Sequence, residues 1–235
     1  MTFQNQSAGI PGTVDARTTA AASSAFLVQA FVWMFAGLLV SAGVAAIVQS
    51  DATLRQFALD NFLILIIAQL GIAFGISLGI TRMNATLALG LFFVYAVSIG
   101  LTIGLIVSAY TGSSVATAFL SASAMFGGAA LYGATTHRSL ASLGGFLTMG
   151  VIGLIVALIV NTFLASGTAG LIISIIGVVI FTALTAYDVQ RIQAGALVAR
   201  TGSVEKAAVI GALRLYLDFI NLFLFLLRLL GGGRR

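Results

Sequence analysis

Asp188 and Asp218 are the two acidic residues, out of six in the chain, that fall inside long apolar runs. An ionised carboxylate in hydrocarbon costs roughly 2.5–3.5 kcal/mol on insertion scales, so each must face a partner, a cavity or water. Two carboxylates that meet share a proton and titrate as a unit. They are also the strongest hard-oxygen ligands this chain could offer calcium. Arg214 and Asn221 flank Asp218 at i−4 and i+3, so the three lie along one stripe of a helix. In the preceding apolar run Thr182, Thr185 and Asp188 step by three, with Tyr187 beside them, and form a candidate opposite half. Plainer readings exist for both acids. Asp188 could pair with Arg191 at the membrane interface, and Arg214 could neutralise Asp218 within one helix.

The elements that must position these residues are set by composition. Hydrophobic residues make up 60% of the 235 and charged residues 7%, against about a quarter charged in soluble domains. The mean hydropathy is +1.14. The apolar runs are helix-length rather than the short alternating segments of a membrane barrel. The expected fold is therefore all-α and polytopic. Zero cysteines exclude disulfides and zinc–thiolate sites. The net charge of +5 is distributed along the loops in a topological pattern, so no nucleic-acid partner is expected.

Seven spans are expected at 24–48, 61–80, 85–109, 114–134, 143–164, 168–190 and 207–230. Together 24–230 form one transmembrane domain, preceded by a polar, mobile segment over 1–23 and followed by a short basic tail over 231–235. Arg17, Arg82, Arg138, Arg191, Arg200 and Lys206 fall on one side of the membrane and Arg55 alone in the loops of the other. The positive side stays cytoplasmic, which puts the N-terminus inside and, after seven spans, the C-terminus outside a cell membrane. The tail residues Arg228, Arg234 and Arg235 run against that rule. His137, the single histidine, reads as a solvated loop residue. Glycine rows at 71/75/79 and 100/104, with Gly127, Gly128 and Gly133, predict close helix contacts.

Two segments carry a resemblance. TAYDVQRIQ, with Tyr187 and Asp188, and LYLDFINLFLFLLR over 215–228 resemble the signature of the Bax inhibitor-1 family, in its bacterial branch. The likeness extends over nearly the whole chain. It implies a last helix at the centre, wrapped by six others in two three-helix layers, and a pH-sensitive calcium leak. It also implies that one aspartate on each of the last two helices shares a hydrogen-bonded proton, here Asp188 and Asp218, which would also be the calcium ligands. A basic residue at the end of the second span would latch that pair, and the matching candidate is Arg82. Arg214 departs from the family pattern, which often has a small polar residue there, and is expected to modulate the pair. Asn221, Thr185 and Tyr187 are the supporting polar residues.

Calcium is expected as a permeant ion, with no tightly bound cofactor and no enzymatic activity. The partners expected are the lipid bilayer and calcium. A competing reading is a non-transporting regulator that binds other membrane proteins, such as a membrane protease or cell-death factors. A third is an intramembrane aspartyl protease, which would hold its second aspartate in a Gly-x-Gly-Asp context with a Pro-Ala-Leu motif. Here the context is Leu215-Tyr216-Leu217-Asp218, and no proline follows Pro11.

Overall fold

The structure, a computed structural model, describes residues 14–231. Among the described residues it is all-helical: α1 (Val14–Ser50), α2 (Ala52–Asp60), α3 (Phe62–Gly79), α4 (Ala85–Val107), α5 (Gly112–Thr135), α6 (Leu143–Leu164), α7 (Gly167–Gln193), α8 (Ala196–Thr201) and α9 (Val204–Leu230). Seven are long and apolar enough to cross a membrane, the first over Phe26–Ser50. The helix of α1 begins at Val14, ten residues before the expected span. The expectation of a mobile N-terminus otherwise falls on residues 1–13, and that of a basic tail on 232–235, both outside the described residues.

The helix starts follow from local chemistry. Asn84, Thr111, Ser166 and Ser203 each accept a backbone N–H from the first turn of α4, α5, α7 and α9, which satisfies a donor the helix itself leaves free. Asp51 does the same for α2, accepting from the amides of Thr53 and Leu54 at 2.8 and 3.0 Å. That short amphipathic helix was not anticipated from the sequence. It carries Arg55, whose guanidinium donates to the carbonyls of Val48 and Gln49 at the end of α1, where the helix dipole is negative. Gly195 and Gly202 bracket α8 at φ of +70° and +68°, positions that glycine adopts without a Cβ penalty.

The last helix is central. Of its most apolar window 78% is buried, against 50% for α7 and 11% for α3. On one side α1 packs on α4, which carries α3; on the other α7 packs on α5 and α6; α9 lies between the two groups, against α1, α4, α5 and α7. The two three-helix layers expected from the resemblance are thus present, with α6 one layer out behind α7. Aromatic side chains key α9 to its neighbours. Tyr216 meets Phe92 and Tyr95 edge-on, Phe219 meets Phe119 and Phe126, and Phe225 stacks on Phe181. Outward-facing Phe74, Leu78, Phe146, Phe163 and Val179 are exposed, as lipid contact requires.

Not every glycine row is a contact. A Cβ on Gly100 would lie 2.7 Å from Val44 Cβ, and one on Gly104 2.7 Å from Val48 Cβ, so these two seat α4 directly on α1. Gly133 abuts the Ala186 carbonyl and joins α5 to α7. Gly71, Gly75, Gly127 and Gly128 face open space, and Gly79 meets only Met83 beside it in sequence. The expectation of tight packing along the 71/75/79 row is therefore corrected. α3 is seated by buried Ile76, with Ile72 and Ala73 against the core, and by a polar link to α4: buried Gln69 donates to the Ser98 carbonyl at 2.9 Å and to Thr102 Oγ1 at 2.7 Å.

Candidate functional site

Asp188 lies five residues before the end of α7 and Asp218 near the middle of α9, and both are buried. Arg214, one turn before Asp218, points across to α7. Its Nη1 donates to Asp188 Oδ1 at 2.9 Å, the sole ion pair among the described residues. The side chains are 8% and 28% exposed for aspartate and arginine, so the pair is screened from water mainly on the aspartate side. Both plainer sequence readings are replaced by this geometry. Arg214 binds the aspartate of the neighbouring helix rather than its own, and Arg191 donates to the Tyr187 hydroxyl at 3.0 Å instead of bridging to Asp188. Depth explains the choice. Asp218 is four residues further along α9, about 6 Å deeper at 1.5 Å per residue, while the Arg214 guanidinium reaches Asp188 at 2.9 Å.

Asp218 is left in an unusual position. Its Oδ2 is buried and has no hydrogen-bond partner among the described residues. The charged groups close enough to act on it are Asp188 and Arg214. No hydrogen bond joins the two carboxylates, so the shared-proton contact implied by the resemblance is not formed in this arrangement. A buried polar atom without a partner marks a strained or functional position.

The supporting residues divide. Thr185 Oγ1 donates to the Phe181 carbonyl and Asn221 Nδ2 to the Leu217 carbonyl, each within its own helix. Tyr187 faces the Arg191 guanidinium and the backbone of Gly144 rather than the carboxylates. Arg82 sits exposed in the turn between α3 and α4 and makes no side-chain hydrogen bond or ion pair among the described residues, so the cation that engages an aspartate is Arg214. The end of α3 is tied instead by Arg200 to the Ser77 carbonyl and Lys206 to the Thr81 carbonyl.

Sequence reasoning missed Ser41 and Tyr216. Ser41 Oγ lies 2.7 Å from the Ala96 carbonyl and 2.6 Å from the Tyr216 hydroxyl. The single Ser41 proton goes to a carbonyl, so Tyr216 donates to Ser41 Oγ. This knot fixes the rotation of α9 two residues before Asp218. The available signal was one tyrosine inside an apolar helix, whose hydroxyl needs a partner when buried. Beyond the knot a cavity of about 390 Å³ lies between α1, α4, α5 and α9, largely apolar, lined by Gln49 and Tyr110 among others and by Phe219, Ile220 and Phe223 along the α9 wall. Neither aspartate lines it.

The carboxylates could contribute to a cation path but not to a full calcium cage. Calcium takes 6–8 oxygen ligands, and no cluster of three His, Cys, Asp or Glu residues exists among the described residues.

Comparison with known proteins agrees with this architecture. The family model described as "Inhibitor of apoptosis-promoting Bax1" matches residues 23–235. The inner membrane protein YbhL of Escherichia coli is 40% identical over 215 residues, covering 89% of this chain and 92% of that one. A protein of Deinococcus radiodurans is 40% identical over 210 residues (89% and 90%), and YrjE of Lactococcus lactis 39% over 226 residues (90% and 93%). With the match running from the first span through the aspartates of α7 and α9 to the end, this multi-pass membrane protein belongs to the Bax inhibitor-1 family.

Proposed function

We propose that the protein is a pH-sensitive calcium leak of the cell membrane, held closed by the clasp between α7 and α9. The observation that carries this reading is the pair of membrane-buried carboxylates on adjoining helices, one bound to Arg214 and the other with an unpartnered oxygen. A bare carboxylate at mid-membrane is costly, and ion or proton pathways are where such groups occur. Two carboxylates are too few to retain calcium and enough to favour its passage. The reading needs no covalent chemistry and no resident cofactor.

The sign of the pH response follows from the clasp. The Arg214–Asp188 pair exists only while Asp188 is ionised. Its contribution is present at higher pH and is lost as pH falls and Asp188 takes up a proton. A charge-assisted contact of this kind contributes roughly 1.5–3 kcal/mol, enough to shift a two-state equilibrium about tenfold or more. Acidification therefore opens the path.

The test is calcium flux into liposomes holding the purified protein, measured across pH beside an unrelated membrane protein. Flux should rise on acidification. Asp188→Asn should leak at neutral pH and respond weakly to acid, and Asp218→Asn should lose or displace the response. Flux no greater than the control at any pH would sink the leak reading and leave the partner-binding regulator ahead.

A further inference from the structure

A second cavity, of about 500 Å³, opens where the loop between α5 and α6 crosses the end of α7. Its polar walls are His137, Arg138, Ser139, Tyr187, Gln190 and Arg191, and no acidic residue lines it. From this we infer a binding site for a phosphate-bearing anion, with the headgroup of an anionic phospholipid as the ligand that its place in the fold presents.

Three observations carry the inference. The first is charge without a counter-charge. Arg138 and Arg191 both line the cavity and neither forms an ion pair among the described residues; the acid nearest Arg191 in sequence, Asp188, accepts its hydrogen bond from Arg214. Arg191 uses one N–H on the Tyr187 hydroxyl at 3.0 Å, with its guanidinium carbon 5.9 Å from the ring centre. The tyrosine thus props the guanidinium and leaves the rest of its donor fork available for an oxyanion.

The second is a preformed wall. Gln190 Nε2 donates to the Arg138 carbonyl at 2.9 Å, and its Oε1 accepts from the Leu140 amide at 2.7 Å. These two bonds hold the loop against α7, so His137, Arg138 and Ser139 are presented on a fixed backbone rather than a free one. Pre-organisation of this kind lowers the ordering cost of binding.

The third is position. Tyr187 and Arg191 lie in the last turns of a membrane-spanning helix, so the cavity sits at the membrane edge, on the face that carries Arg82, Arg200 and Lys206. Basic pockets between membrane helices at that level suit phospholipid headgroups. Ala141 also lines the cavity, next to Ser142, the N-cap of α6. The positive end of that helix is offset by the negative C-terminal end of α7 at Ala194, so the two arginines carry the field at the site.

The site is separate from the calcium reading, and its test does not depend on flux. The full chain is purified in detergent, and retention of phosphatidylglycerol is compared with phosphatidylcholine by native mass spectrometry. In a second arm thermal unfolding is followed in inorganic phosphate and in chloride at equal ionic strength. We expect the wild type to prefer phosphatidylglycerol about tenfold, with that preference largely lost in Arg138→Gln combined with Arg191→Gln. The Gln190 bonds to the loop use backbone atoms and persist in both variants. If the double variant does not fold, Arg138→Gln alone is read in the same way. Arginine-dependent stabilisation by inorganic phosphate without the lipid preference supports the anion site and identifies free phosphate as its ligand. A lipid preference that survives in the variants, or no response in either arm, overturns the inference.

Discussion

At the scale of single residues, one arginine sets the arrangement of the site. Arg214 stands a turn before Asp218 but reaches Asp188 on the facing helix, at 2.9 Å. That choice leaves Asp218 Oδ2 buried and unpartnered. Arg214→Gln removes the cation and leaves Asp188 as a buried carboxylate with no ion pair, a change that costs several kcal/mol unless the group takes up a proton. The variant should leak calcium at neutral pH and lose most of its response to acid. Arg82→Gln removes a charge that touches neither aspartate and should leave the flux profile at wild type. Liposome flux on the two purified variants, side by side, decides it. A raised basal leak in Arg82→Gln together with a silent Arg214→Gln would return the latch to Arg82.

At the scale of elements, the helix contacts depend on where small residues fall rather than on how many there are. Gly100 seats α4 on α1 so closely that a methyl group would lie 2.7 Å from Val44 Cβ and 2.8 Å from the Ser41 carbonyl oxygen. Ser41 also holds the Tyr216 hydroxyl. Gly100→Ala should therefore destabilise the bundle by about 1–3 kcal/mol, the usual range for overpacking. Gly71→Ala is the same chemical change on a helix face with nothing within 4 Å, and its unfolding temperature should equal or exceed the wild type, since alanine is the better helix former. Thermal unfolding of both in one detergent is the measurement. Equal losses would mean that α3 packs through its glycine row after all. Buried Ile76 and the polar link from Gln69 to Ser98 and Thr102 explain how α3 can do without that row.

At the scale of the whole molecule, seven spanning helices and six basic residues on one side specify an orientation. Reporter fusions should place the N-terminus in the cytoplasm and the C-terminus across the membrane. The basic residues near the C-terminus oppose this weakly. Arg228 lies along Gly170 on α7, so it has a place in the packed end of the bundle. A cytoplasmic signal from both ends would contradict the full crossing of α9. That outcome would also conflict with a 27-residue helix, about 40 Å at 1.5 Å per residue, which exceeds the hydrocarbon core.

The sequence by itself determined the class and the seven spans, singled out the two acids inside the apolar runs, and through its family resemblance implied the central place of the last helix. These rest on hydropathy over helix-length windows, on the cost of leaving a charge bare in hydrocarbon, and on the LYLDFINLF run. Interhelical geometry was not legible. The spacing of Arg214 and Asp218 allowed an in-helix pair as readily as a cross-helix one, and only the depth of α7 beside α9 decided for Asp188. The glycine rows looked alike as strings, yet of the glycines in them Gly100, Gly104 and Gly133 abut another helix and the rest do not. The partner of Tyr216 was not legible either: Ser41 is 175 residues away. Each of these depends on the rotation of one helix about its axis relative to another, which packing sets and local periodicity does not.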